Sequence, residues 1–255
     1  MNSMDKKKNK YERSITSLIT AILLIIAVWS IISFSKNNDL IFPSVGKILS
    51  AAGNIISSKN FIKIMCFDLL RIMIAVIGSF IIALIITFIY IYKKSSFAFF
   101  KVYLGYFKAV PVVALSIFIW LIFPSSVAPV IITFAVAVPI VTYGLVAAID
   151  RMDSVLLDDL KMLNISKFQT ITKVYIPYLA PFVLMTFMQA FGLSFKVMIT
   201  SEYICQTNSS IGKTLYNARS NLDMDELLAW SIIIVLAVVA VEALFKFINK
   251  RYLTS

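Results

Sequence analysis

Apolar positions along this chain gather into long uninterrupted runs separated by short polar stretches, and that pattern predicts its elements. Ser17 to Phe34, SLITAILLIIAVWSIISF, carries no charge and follows the basic head KKKNKYER. A secretory signal peptide begins in the same way, but its apolar core is shorter and a small-residue cleavage site should follow. SKNNDLIFPS follows here, so the run predicts an uncleaved first membrane helix. The second run is Ile72 to Tyr92, opened by Arg71 and closed by Lys93 and Lys94. A third, Ala109 to Phe123, contains Pro111, and Pro124-Ser125-Ser126 turns it into a fourth, Val127 to Ala148. The fifth, about Leu179 to Thr200, holds Gln189, Ser194 and Lys196. In the sixth, Leu227 to Ile248, Glu242 precedes Lys246 by four residues, which puts the two on one helix face. Runs near ~20 residues match the hydrocarbon core of a bilayer. The expected fold class is all-α: a polytopic membrane protein with six transmembrane helices, a basic N-terminus over 1–14 and a single transmembrane domain over 15–255.

Composition sharpens this. The chain is 60% apolar and 15% charged, against ~45 to 50% and ~25% in soluble domains, and six spans leave no room for a sizeable soluble domain. The histidine count is zero, which excludes Ser-His-Asp and Cys-His nucleophile systems and histidine-ligated metals. Cys66 and Cys205 are too few for a four-thiolate metal site and are expected to be ordinary thiols. No metal site and no catalytic residues are expected. The net charge of +11 would suggest nucleic acid in a soluble protein, but here it poses a question of sidedness. Of the 24 lysines and arginines, 16 fall in the head, the second and fourth connections and the tail, and seven fall on the opposite side, with Lys196 inside a span. The bias predicts that both termini are cytoplasmic, and no nucleic-acid partner is expected.

Two connections have patterns of their own. Val45, Ile48, Leu49, Ala52, Ile55 and Ile56 recur at helical spacing in the first, outer connection. They predict an amphipathic helix, either lying on the membrane surface or packed on neighbouring spans. The fourth connection, 150–178, reads DRMDSVLLDDLKMLNISKFQTITKVYIPY. Met152, Leu156, Leu160 and Leu163 form one helical stripe. Asn164 suits the left-handed corner position, and Ser166 with Gln169 forms a capping box for a second helix. Phe168, Ile171 and Tyr175 stripe that helix, and Pro177 is expected to end it. A DNA-reading corner is disfavoured by its tether to membrane spans at both ends and by its mixed charge. A passive linker has no need of two capped helices, so a docking element for a cytoplasmic partner explains more.

The stretch LLDDLKMLNISKFQTITKVYIP resembles the cytoplasmic EAA loop of binding-protein-dependent ABC transporter permeases, whose pattern is E-A-A, three residues, G, nine residues, I-x-L-P. Anchored on Pro177, the Glu position is Asp158, the alanines are Asp159 and Leu160, the glycine is Asn164, and Val174 and Ile176 take the Ile and Leu positions. The spacing is kept while the alanines and the glycine are replaced. Other segments resemble the nitrate/sulfonate/taurine branch: FPS at Phe42 to Ser44, LLR at Leu69 to Arg71, AVPVVAL at Ala109 to Leu115, GLSFKVMITSEYI at Gly192 to Ile204 and SIGKTL at Ser210 to Leu215. They run in order over about Ile41 to Leu253.

The resemblance implies an ABC type I importer permease fold in the cytoplasmic membrane, a multi-pass subunit without enzymatic activity of its own. It implies two ABC ATPase subunits docked on the corner formed by Asp158, Asp159, Leu163, Asn164, Ile165, Ser166 and Phe168. A second permease copy, giving a homodimer, and an external solute-binding protein complete the implied assembly. No cofactor is expected on this chain, since ATP and Mg would be held by the ATPase subunits. GKT at Gly212 to Thr214 is no exception, because Thr207 stands where a P-loop has its first glycine. Candidates for the translocation pathway or its gate are Gln189, Ser194, Lys196 and Glu202. Lys196 would attract an anionic solute, pair with Glu202 or snorkel to the outer surface. Glu202 stands where the family usually has an acid and is expected to have a structural or gating role, and Gln189 and Ser194 would line the pore or bond neighbouring helices. The branch implies a small anion such as a sulfonate, taurine or nitrate as solute, with a vitamin precursor or other small organic solute as the alternative. Two other classes compete. An ATP-independent secondary transporter or channel is disfavoured by the absence of a repeat and by the docking loop, and a membrane enzyme by the absence of a cluster of carboxylates and nucleophiles at one depth.

Overall fold

The protein is described from a computed structural model covering residues 3–36, 38, 40–153 and 166–252. Its helices are α1 (Ser3–Lys36), α2 (Val45–Ser57), α3 (Phe61–Tyr92), α4 (Phe97–Ala109), α5 (Val112–Ile122), α6 (Ala128–Asp150), α7 (Lys167–Thr170), α8 (Ile176–Cys205), α9 (Ile211–Asn221) and α10 (Met224–Tyr252). The described residues contain no strand. The chain forms two units, Met1–Ser58 with Asn217–Ile233, and Lys59–Tyr216 with Ile234–Ser255.

In the first unit, the FPS segment is bonded to α1. Trp29 Nε1 donates to the Pro43 carbonyl at 3.1 Å, Ser33 Oγ donates to that of Phe42 at 2.8 Å, and the Trp29 and Phe42 rings lie 5.9 Å apart. Ser44 then caps α2 by accepting from the Lys47 N–H. The stripe expected for α2 divides: Ile48 and Ile55 are buried, while Leu49 and Ile56 are exposed.

The second unit is built on α3, α6 and α8. Gly78 of α3 lies against Phe134 of α6, and Tyr90 donates to Asp150 at the far ends of the same helices, so α3 and α6 run parallel. Helix α8 is antiparallel to both, with Thr133 against Met198 and Gly144 against Thr186 on α6, and Phe80 against Phe187 on α3. A glycine or small hydroxyl residue at these crossings lets backbones approach, which is how membrane helices gain packing energy. Phe245 of α10 closes on Phe187 and Phe191.

Three expectations are corrected. Helix α3 starts at Phe61, well before Ile72, because a charge marks a bilayer edge without ending a helix; Asp68 and Arg71 are therefore helical. The third run is not one helix. Pro111 lacks an N–H and pushes Val110 to an extended conformation (ψ 129°), so α4 and α5 meet at a 99° bend. At ~1.5 Å per residue α5 spans only ~16 Å. Because parallel α3 and α6 require a return between them, α4 and α5 together make that traverse. Pro177 does not end a helix either. Lys167–Thr170 continues through a π-helical turn, Ile171–Tyr175, directly into α8, where Pro177 stands in the first turn and needs no intrahelical N–H bond. The capping contact from the Gln169 N–H to Ser166 Oγ is present at 3.3 Å. Four described helices are long and apolar enough to cross a membrane, five with the bent pair counted as one span. The first expected span lies in α1, whose described apolar part is Leu23–Lys36.

Candidate functional site

Two arrangements in the second unit gather the chemistry. The first lies where α3 begins and α8 ends. Asp68 and Arg71 are three residues apart on α3 and share a face. Arg71 Nη1 stands 3.0 Å from Asp68 Oδ1 and 3.1 Å from Glu202 Oε1 on α8, and Nη2 donates to the Asn208 carbonyl at 3.3 Å. Asp68 and Glu202 are fully buried while the Arg71 side chain is 16% exposed. Nη1 thus bridges two buried carboxylates while Nη2 reaches the loop, a division of donors that arginine's fork suits and a lysine's single nitrogen does not. Glu202 Oε2 has no hydrogen-bond donor among the described atoms.

The loop after α8 is shaped to complete this cluster. Gln206 (φ 50°) ends α8 in the left-handed conformation, and Ser209 (φ 52°) turns the chain again. Ser210 caps α9 by accepting from the Lys213 N–H, and the Ile211 N–H donates to Asp68 Oδ2 at 2.7 Å. A carboxylate on a helix N-terminus satisfies an orphan donor and faces the positive end of the helix dipole. Gly212 sits so close to α8 that a Cβ there would come within 2.4 Å of the Tyr203 nitrogen. The glycine of GKT serves close backbone packing and not phosphate binding.

The second arrangement is an open cavity of about 570 Å³ lined by Lys108 at the end of α4, Ile140, Tyr143 and Gly144 of α6, and Gln189 and Leu193 of α8. Gln189 stands halfway along α8. The Lys108 ammonium lies 5.6 Å from the centre of the Tyr143 ring. A lysine at mid-bilayer depth costs ~2.5 to 3.5 kcal/mol unless water or a partner reaches it.

Of the sequence candidates, Glu202 joins the first arrangement and Gln189 the second. Ser194 is buried. Lys196 is exposed on α8 and is not in the cavity lining; of its three alternatives, the pair with Glu202 is not formed, since Glu202 pairs with Arg71. Asp158, Asp159, Leu163, Asn164 and Ile165 lie outside the described residues; Ser166 is exposed, and of Phe168 only the backbone is described. The side chain of Lys246, expected beside Glu242, also lies outside them. Both cysteines are free, Cys66 exposed and Cys205 buried. Sequence reasoning missed Asp68, Lys108, Tyr143 and Gly144. Asp68 had a local signal, its i, i+3 spacing from Arg71, while Lys108 was counted as a loop residue.

Comparison with known proteins gives one family and one fold. A family model described as "Binding-protein-dependent transport system inner membrane component" matches residues 51–253. A crystal structure of a bacterial ABC transporter involved in the import of the acidic polysaccharide alginate contains a chain similar at 14% identity, TM-score 0.65, covering 96% of this chain and 99% of that one. A second, of the alginate ABC transporter in complex with alginate pentasaccharide-bound periplasmic protein, is similar at 13% identity, TM-score 0.63, covering 94% and 96%. No curated protein matches the chain.

Proposed function

We propose the function of this chain from one premise: it belongs to the family of binding-protein-dependent transport system inner membrane components. It is a multi-pass inner-membrane permease subunit of an ABC importer, a transport component and not an enzyme. Beyond that, we read it as the translocation subunit driven by two ATPase subunits that bind ATP and Mg, docked on the corner from Asp158 to Phe168. A second copy of the chain completes the pathway, an external solute-binding protein delivers the solute, and both termini face the cytoplasm. Taking Lys108 out of the loop tally leaves 15 positive residues against seven, which keeps the cytoplasmic assignment.

The observation that supports the drive mechanism is helical continuity. From Lys167 the backbone is helical through the π turn to Cys205, so the exit of the docking corner and Glu202 stand at opposite ends of one rod. ATPase closure pushing the corner would be passed along α8 as rigid-body motion, alternately opening the pathway to either side.

The solute we propose is a small anion of the sulfonate, taurine or nitrate type. Support comes from the segments quoted above and from Lys108 in the mid-span cavity. The alginate transporters share the fold at an identity too low to carry their solute over. Co-purification tests the assembly: the intact chain should bring down its ATPase subunits, and deleting 158–168 should abolish both capture and ATP-driven uptake. Uptake that survives the deletion refutes the docking role.

A further inference from the structure

We infer that the cavity between α4, α6 and α8 is a binding subsite for a compact oxyanion on the permease itself, with Lys108 as its selecting charge; this rests on the importer reading. Three observations converge. Lys108 brings a basic side chain to the cavity wall, it makes no ion pair within the described residues, and no acidic side chain is among the described lining residues. Glu242 comes up against Gly192 on the adjacent strip of α8 and is not in the lining.

The rest of the lining suits a small anion with an apolar part. Gln189 and Tyr143 supply neutral polar groups that can donate to oxygens, and Ile140 and Leu193 supply an apolar wall, while Gly144 is packed against Thr186 of α8. The volume lies within the ~300 to 1,000 Å³ range of small-molecule sites. The bend at Pro111 explains why the charge is there. A straight α4–α5 rod would carry the chain past this point, whereas the break ends α4 one residue after Lys108 and leaves that lysine beside the middle of α6 and α8.

Two sources share this chemistry, a free sulfonate or nitrate and the phosphate of a lipid headgroup, and the experiment separates them. The complete importer, with its ATPase subunits, is placed in nanodiscs of neutral or anionic lipid and titrated with ethanesulfonate, nitrate and the neutral ethyl methyl sulfone. Binding of the two anions and not of the sulfone is expected. Lys108→Met should weaken anion binding by roughly 10-fold or more, while Lys108→Arg keeps it within about 3-fold. Gln189→Leu, which keeps the charge, should weaken it by a smaller factor. The inference is overturned if Lys108→Met binds like the wild type at unchanged thermal stability, if the sulfone binds as well as ethanesulfonate, or if no anion binds. It is equally overturned if Lys108→Met changes only the stability difference between the two lipids. The importer reading is scored separately in the same preparation. If the solute-binding protein stimulates ATP hydrolysis and no anion binds, only the subsite fails.

Discussion

Replacing Arg71 by Leu removes the one cation between two carboxylates that are 1% and 0% exposed. In the wild type the guanidinium lies within 3.1 Å of both and also bonds the Asn208 carbonyl. Removing one member of a buried charge cluster costs ~3 to 5 kcal/mol, mostly because the remaining charge keeps its desolvation penalty without its partner. At ~2 to 4 °C per kcal/mol for a chain of this size, the transition should fall by ~6 to 20 °C. The assay is a thermal scan of the detergent-solubilised complex followed by size exclusion. The decisive control is the triple variant Asp68→Asn, Arg71→Leu, Glu202→Gln, which removes all three charges and should recover most of the loss. Arg71→Lys should fall between, since an ammonium cannot span both carboxylates and the loop carbonyl. A transition for Arg71→Leu within about 1 °C of the wild type, which corresponds to ~0.5 kcal/mol or less, refutes the clamp. A triple variant less stable than the single one refutes the charge argument.

Two further substitutions test the backbone around the two arrangements. Gly212→Ala would place a Cβ within 2.4 to 2.6 Å of the Tyr203 nitrogen and of Glu202 atoms that cannot rotate away, so α9 must lift off α8. Overpacking of ~1 to 3 kcal/mol and loss of the Ile211–Asp68 bond should show as a lower transition and reduced uptake, and wild-type values for both would sink the close-packing account. Pro111→Ala restores an N–H and ~3 kcal/mol of helix propensity at the bend. Spin labels at Tyr103 and Phe118, both exposed, should lie about 15 Å apart in the wild type, and Pro111→Ala should add a second population near ~22 Å, the straight-helix separation at ~1.5 Å per residue. A single population at the shorter distance would mean that packing, and not the proline, sets the bend.

The parts of this fold that were legible in the sequence are those set by local composition. Helices α3, α6 and α10 are long runs rich in Ile, Val, Leu and Ala, α8 is a mixed run of aliphatic residues, Phe and Met, and their expected cores fall within a residue of the observed bounds. The bend was within reach, because Pro111 restricts Val110, but the unbroken apolarity of Ala109 to Phe123 outweighed a single breaker. The clamp was only half legible: Asp68 and Arg71 share a turn, yet Glu202 lies 131 residues beyond Arg71, and no local pattern encodes a contact at that distance. Lys108 was misplaced for a related reason. A lysine between apolar runs counts as a loop residue until the direction of the chain after it is known.

Helix α8 connects these pieces. Its approach from the proposed docking corner starts at Lys167, Gln189 lies halfway along it, and Glu202 is pinned at its far end by Arg71. A rod fixed at one end turns a push at the other into rotation about the fixed point, so a site at the middle moves about half as far as the pushed end. Under the proposed docking, the cavity would widen or narrow by a fraction of the corner's displacement while the clamp stays closed. Slack can enter such a lever at the π turn Ile171–Tyr175, where one hydrogen bond spans five residues and the ladder is weakest. The clamp and the turn should therefore have opposite effects on transport. Loosening Arg71 frees the pivot and uncouples the cavity from the push, whereas tightening the turn to regular α-helix stiffens the rod and passes more of the push to Gln189.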